Sequence, residues 1–362
     1  MPSFSRASMP ENFFDITSDM LLVQPEPQYL YAQLFLGALG ASLESPSELG
    51  LPGRAIGGAG ASYSSEDRDR LILANPMFKD VIAATVDFNG KPGNAIRINR
   101  PVFTNTTYTE ASRRVAGGTT LSTTAIAVTE QQANLTLYRY AGPYSTAASA
   151  VAPLAIEAFD ANMGVHKAAS IHGVHYKRDF HRFIDAVNRD LLDLASSAVY
   201  PDGMSAVNDA TTTGSFPFTY EQLCRTEETM DNSNLPTFSD GFRALVLTPK
   251  QCTQLGQDSG YRQVAKNFEQ FNSLFPQYVG SVNKFHVFKS TTLNVTNNSS
   301  SIPIHYGHAI APGALLAGMG RAPRVAANTN DNYGETVLAL WLADLAFGLA
   351  NNSLVLSVRS SA

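Results

Sequence analysis

Charge is scarce in this chain. Of its 362 residues, 16% are Asp, Glu, Lys or Arg, against about 25% in an ordinary soluble domain. The net charge is −5 and no stripe of Lys and Arg appears, which argues against sequence-specific nucleic-acid binding. Cysteine is nearly absent. Cys224 and Cys252 lie 28 positions apart, fit no metal-ligand spacing and read as reduced thiols. No apolar run approaches the roughly 18–20 residues of a membrane span. The stretch "MPSFSRASMPENFFDITSDMLL" lacks a basic region followed by an apolar core, so no secretion signal is expected. The sequons at Asn105, Asn134 and Asn294 then read as chance in a Thr- and Asn-rich chain. No G-x-S-x-G elbow occurs, no G-x-G-x-x-G heads a βαβ unit, and "GGAG" lacks the Lys-Ser/Thr of a phosphate-binding loop. No catalytic, metal or cofactor-binding residue is therefore assigned. The single tryptophan, Trp341, reads as core.

Hydrophobic content is an ordinary 44%, enough for a real core. The polar surface must come from Ser, Thr, Asn and Gln, which suits wide contacts with other protein. Residues 1–75 alternate short apolar pieces ("YLYAQLFLGALG") with Pro- and Gly-rich ones ("SPSELGLPGRAIGGAGAS") and read as an arm rather than a domain. Between 76 and 146, "NAIRINRPVF" sets Ile96 and Ile98 against Arg97 and Asn99, and "IAVTEQQANLTLYRY" alternates through Leu135, Leu137 and Tyr138 to Tyr140. Each run predicts a strand. The polar, Gly-punctuated stretch between them makes a long two-stranded hairpin with an extended tip. A lone ribbon of this kind is marginal in water, so it suits a chain whose neighbour covers it.

The segment 147–204 contains "HKAASIHGVHYKRDFHRFIDAVNRDLLDL". At 100° per residue, Phe183, Ile184, Val187, Leu191, Leu194, Ala195 and Ala198 share one face. Arg178, Arg182, Asp185, Arg189 and Asp193 take the other. Asp185–Arg189 and Arg189–Asp193 are then expected as i,i+4 pairs on the solvent side. The rod would begin near Lys167, be bent or interrupted at Gly173, and stop at "YPDG", residues 200–203. Its length of about 50 Å far exceeds the average helix of about 11–12 residues. His166 and His181 would stand about 22 Å apart along it and cannot share a metal. Only His172 and His175 are neighbours, with no Glu in an HExxH pattern. The histidines are expected on solvated or interface surface.

Over 205–319 the pattern predicts a helix (220–232), a strand (243–248), helical pieces (250–271), a strand (284–290) and a strand "IPIHYGHAI". A small-residue turn or helix, "APGALLAGMG", follows. This is an α+β unit of ordinary size. The tail 320–362 reads as two β-runs joined by "ANNS", although 335–349 also suits a helix.

This order of elements resembles the major capsid protein of tailed bacteriophages, whose fold is shared with herpesvirus shells. "GKPGNAIRINRPVF" and "TTLSTTAIAVTEQQANLTLYRYAGPY" look like the family's extended loop. "FDANMGVHKAASIHGVHYKRDFHRFIDAVNRDLLDLASSAVYPDGM" looks like its spine helix. "RALVLTPKQCTQLGQDSGYRQVAK" and "IHYGHAIAPGALLAGMGRAP" are similar to its axial domain, and "NYGETVLALWLADLAFGLANNSLVLSV" to its closing peripheral strands. The resemblance implies a structural, non-enzymatic virion protein without cofactors. It would assemble in a bacterial host's cytoplasm into hexamers and pentamers around double-stranded DNA.

Residues 1–75 would be an arm and lead-in, 76–146 the extended loop, and 147–204 the peripheral domain with the spine. Residues 205–319 would be the axial domain and 320–362 the closing peripheral strands. Because the arm starts at Met1 with no long helical segment, a separate scaffolding protein is expected. A portal protein and a cement or decoration protein are further expected partners. Some members cross-link through a loop lysine. Here no lysine lies between Pro92 and His166, so no covalent cross-link is expected. Subunit contacts are expected at Phe13, Phe14 and Tyr31 of the arm and at Tyr108, Arg113 and Arg114 of the loop tip. The competing readings are a secreted or surface β-rich adhesin and a metal-dependent hydrolase using His172 and His175.

Overall fold

The computed structural model describes residues 29–32, 34–36, 81–88, 95–102, 114–115, 129–145, 150–157, 165–202, 204–206, 216–238, 240–261, 278–298, 300–328 and 336–361. In chain order the described strands begin with β1 (Ile82–Asp87), β2 (Ala95–Val102), β3 (Thr129–Thr136) and β4 (Tyr138–Gly142). The short β5 (Tyr144–Ser145), β6 (Ala150–Val151) and β7 (Leu154–Glu157) follow, then helix α1 (Val165–Asp193) and β8 (Ser197–Val199). Next come α2 (Tyr220–Asn232), β9 (Arg243–Leu247), α3 (Pro249–Gln257), β10 (Tyr278–Val282) and β11 (Phe285–Lys289). The chain closes with β12 (Val295–Asn297), β13 (Pro303–Ile310), β14 (Leu315–Asn328), β15 (Thr336–Leu349) and β16 (Val355–Ser361). The mixed helix-and-sheet composition matches the expected α+β class.

Two main sheets form. One has the order β1-β14-β15-β4, with β7 beside β4 on the same edge of β15. The other runs β10-β11-β9-β13-β16-β8, with β12 also on β13. The helix α1 packs on both, through β15 of the first and through β13 and β16 of the second. One continuous core joins them.

The long helix is uninterrupted through Gly173. Twenty-nine residues make a rod about 44 Å long. Its buried stripe is Tyr176, Phe180, Ile184, Asn188 and Leu192, four-residue steps on a 3.6-residue repeat. That stripe is rotated from the expected one: Leu194 is 62% exposed and Asp185 is fully buried. The helix also stops seven residues before "YPDG". Ser197–Val199 instead pairs in parallel with Leu356–Val358, and sheet pairing outweighs two more helical turns.

Local signals place the other helices. Thr219 caps α2 by accepting from the Gln222 N–H, and "TPKQ" gives α3 a reciprocal Thr248–Gln251 capping box with Pro249 at its first turn. The ribbon β2–β3 pairs from Ala95↔Thr136 to Val102↔Thr129. The run 126–140 is not one strand, however. It breaks at Leu137, and β4 joins the first sheet through Arg139↔Asp344. The ribbon's base is anchored, with Leu135 buried against Phe88, Leu316 and Ala346. "APGALLAGMG" is a turn at Gly313 (φ +75°) followed by strand β14. Residues 336–349 are strand β15. The segments 205–319 and 320–362 interleave: β14 enters the first sheet and β16 returns to the second, beside β13.

The β4–α1 contact is tight. A Cβ on Gly142 would lie 2.6 Å from the Trp341 ring and from Asp179 Oδ2. Gly142→Ala is expected to cost about 1–3 kcal/mol by overpacking, read as a lower denaturation midpoint at an unchanged slope.

Candidate functional site

The most elaborate polar arrangement lies where the C-terminal half of α1 meets β13 and the segment 29–36. Six described residues of that segment, 30–32 and 34–36, are helical. Tyr31 is fully buried. Its N–H and that of Ala32 donate to Asp185 Oδ1 at 2.8 and 3.3 Å. Asp185 thus caps a helical turn whose donors lie 154 and 153 positions away in sequence and have no partner within the turn. The Tyr31 hydroxyl meets His308 Nδ1 at 2.7 Å. His308 Nε2 meets Asp193 Oδ1 at 2.8 Å, and Asn294 Nδ2 donates to Asp193 Oδ2.

Electrostatics sets the protons. Burial pushes the Asp193 carboxyl up, but hydrogen bonds from His308 and Asn294 and the nearby Arg359 charge outweigh it and hold it below the usual range. An ionised Asp193 accepts from His308 Nε2–H, and in a neutral ring Nδ1 accepts from the Tyr31 O–H. Burial, then the Asp185 and Asp193 charges, push the Tyr31 hydroxyl well up, keeping it a donor. Burial also raises Asp185, against the bonds from Thr292, Tyr31 and Ala32. Arg359 lies over the Tyr306 ring, 3.4 Å from its centroid, a cation–π contact in a desolvated site. The chain Tyr31–His308–Asp193 has the donor order of an acid–base relay. Tyr31 and His308 are both 0% exposed, and the chain locks three elements together.

This geometry corrects several expectations. Tyr31 makes its contacts inside its own chain rather than with a neighbour, because a helical turn needs caps and an aromatic ring needs a core. Asp185 is a buried acceptor and not a solvent-face partner of Arg189. Arg189 itself binds Asp190 Oδ1 at 2.8 Å and the Thr292 carbonyl at 2.9 Å. Of the helix histidines, His175 is exposed and His172 half-buried, while His181 is fully buried. Among the described residues no three His, Cys, Asp or Glu side chains come within reach of one metal ion. Arg114 is exposed beside Val115. Phe13, Phe14, Tyr108 and Arg113 lie outside the described residues.

The sequence reading missed Asp185, Asp193 and His308 as a unit. The available signal was the step Tyr176–Phe180–Ile184, which turns Asp185 inward. Nothing local links it to residues 31 and 308.

No family model and no curated protein matches the sequence. Solved structures do match. The capsid of cyanophage Pam1 is similar at a TM-score of 0.55 and 11% identity, over 78% of this chain and 90% of that one. The capsid of cyanophage P-SCSP1u is similar at 0.53 and 15% identity, over 77% and 86%. The capsid of Ralstonia phage GP4 is similar at 0.53 and 11%, over 78% and 87%. At such identities the likeness is one of fold. This chain has the tailed-phage major-capsid fold that its order of elements suggested.

Proposed function

We propose that this chain is the major capsid protein of a tailed bacteriophage. Copies assemble as hexamers and pentamers into an icosahedral shell around double-stranded DNA. The observation that carries this reading is the fold shared with three phage capsids over more than three quarters of the chain. The organisation agrees with it. The segment 76–146 supplies a two-stranded ribbon anchored, among the described residues, at its base. Exposed apolar side chains at Tyr138, Tyr144, Val151 and Val279 sit on strands with edges unpaired among the described residues, which assembly would cover. The arm 1–75 carries Phe13 and Phe14 to a neighbouring copy, and Tyr108, Arg113 and Arg114 serve the loop tip. Residues 147–196 with β14 and β15 form the peripheral unit, and 205–314 with β8 and β16 the axial unit.

Scaffolding, portal and decoration proteins are the partners of such a shell, which works in the virion after assembly in the host cytoplasm. The acidic chain encloses DNA without reading its sequence. No enzymatic role is assigned to the chain in this reading. The test is expression alone and with a co-expressed scaffolding protein, read by light scattering. Particles tens of nanometres across support the reading, and a stable monomer in both preparations defeats it. Denatured particles are expected to run as a single monomer-sized band, because the segment 92–165 offers no lysine for an isopeptide bond. A ladder would contradict that.

A further inference from the structure

The first sheet has two unlike faces. Ala339, Trp341, Ala343 and Leu345 of β15 are buried, and the tryptophan packs on Phe180 and Phe183 of α1. The alternate residues Leu338, Leu340, Leu342 and Asp344 point the other way and are only half-buried. The ribbon covers one end of that outer face, through Leu135 and Leu137. Beyond it, cross-strand register sets Arg139, Asp344 and Arg321 in one row and Ala141, Leu342 and Arg324 in the next. Asp344 binds Arg139 at 3.0 Å and lies 3.8 Å from Arg321. The two arginine side chains are 65% and 53% exposed. Arg324 is exposed, with no hydrogen bond or ion pair among the described residues. Arg139 and Arg321 thus share one carboxylate, with Arg324 in the next row, above an apolar floor, on a chain whose net charge is −5.

We propose that this patch receives the acidic, apolar segment Glu11–Val23 of a second copy. That segment holds Glu11, Asp15 and Asp19 and no Lys or Arg, among Phe13, Phe14, Ile16, Met20, Leu21 and Leu22. Its composition complements both the arginines and the leucine floor. The same copy's segment is poorly placed to serve. Tyr31 and Phe35 pack on the opposite side, against His308 and Phe347, and the few residues between Val23 and Tyr29 span at most about 20 Å. The proposal rests on the shell reading and names the surface that the arm would use.

The test places a photo-cross-linking residue at position 16 of full-length chain, in particles assembled from isotopically heavy and light copies. Heavy–light cross-links to β14 or β15 between residues 321 and 344 are expected. R321E/R324E should lower their yield about tenfold by like-charge repulsion, and D15R/D19R in the same chain should restore it. Circular dichroism identical to the unmodified protein confirms that the variants fold. Cross-links within one copy, or to another surface, overturn the proposal. So does retention of a short duplex DNA at physiological salt that R321E/R324E abolishes, since the patch would then serve nucleic acid. If no particles form, the shell reading has failed. If R321E/R324E particles form with unchanged cross-links, only this inference has.

Discussion

Trp341→Ala is expected to lower folding stability by about 3–5 kcal/mol, the range for removing a large buried aromatic side chain. The ring is 1% exposed and stands edge-on to Phe180, with centroids 5.2 Å apart. It also tilts against Phe183 at 5.7 Å. Its Nε1–H donates to Asp179 Oδ2 at 2.7 Å. Burial raises the Asp179 carboxyl, and this bond and the Arg182 charge oppose that rise. Alanine would therefore leave both a cavity and a poorly solvated carboxylate. Trp341→Phe keeps most of the ring and removes the donor, so its cost should be smaller, about 1–2 kcal/mol. Since Trp341 is the only tryptophan, the unfolding of all three proteins should be followed by far-ultraviolet circular dichroism. Equal losses for the two variants would show that the ring's packing contributes little.

Asp193→Ala is expected to cost about 3 kcal/mol, because it strands groups that were buried to meet it. His308 would lose its Nε2 acceptor and Arg359 the opposing charge of Asp193, while Tyr31 would keep His308 as a partner. The pH dependence follows from the direction of the shift. The folded carboxyl lies below its unfolded value of about 3.9. Its contribution is present above that unfolded value and is lost as pH falls through the folded one. Wild-type stability should thus fall more steeply below about pH 4 than that of Asp193→Asn. Asp231 is also held low, by Lys284 and Arg243, and adds loss of the same sign to both proteins. Asp185, raised by burial, has the opposite sign: its cost at neutral pH is relieved in acid. The wild-type-minus-variant difference isolates Asp193. Parallel acid limbs would remove Asp193 from the account.

What could be read from the sequence followed the physics of each signal. Alternation at Ile96, Arg97 and Ile98 gave β2, and "TPKQ" gave the start of α3, because both signals are local. The α1 helix was evident in outline, but its buried face was not. Phe183, Leu191 and Leu194 made a plausible apolar stripe, while the true one admits Asn188, which donates to the Ile184 carbonyl, and Asp185, whose partners come from residues 31 and 32. Strand β14 was hidden because Ala and Gly carry little β propensity; pairing with β1 and β15 on both sides overrides that. The change of sheet at Leu137 and the return of β16 to β13 are likewise long-range facts. Tyr31 looked like an arm residue awaiting a neighbour, and only His308, 277 positions away, shows where it belongs.

Electron cryomicroscopy of the particles formed with a scaffolding protein tests the central claim most directly. The account predicts closed shells in which this fold repeats around five-fold and six-fold positions, with the β2–β3 ribbon of each copy lying over a neighbour. A monodisperse monomer, or an assembly whose density this fold does not fit, would contradict it.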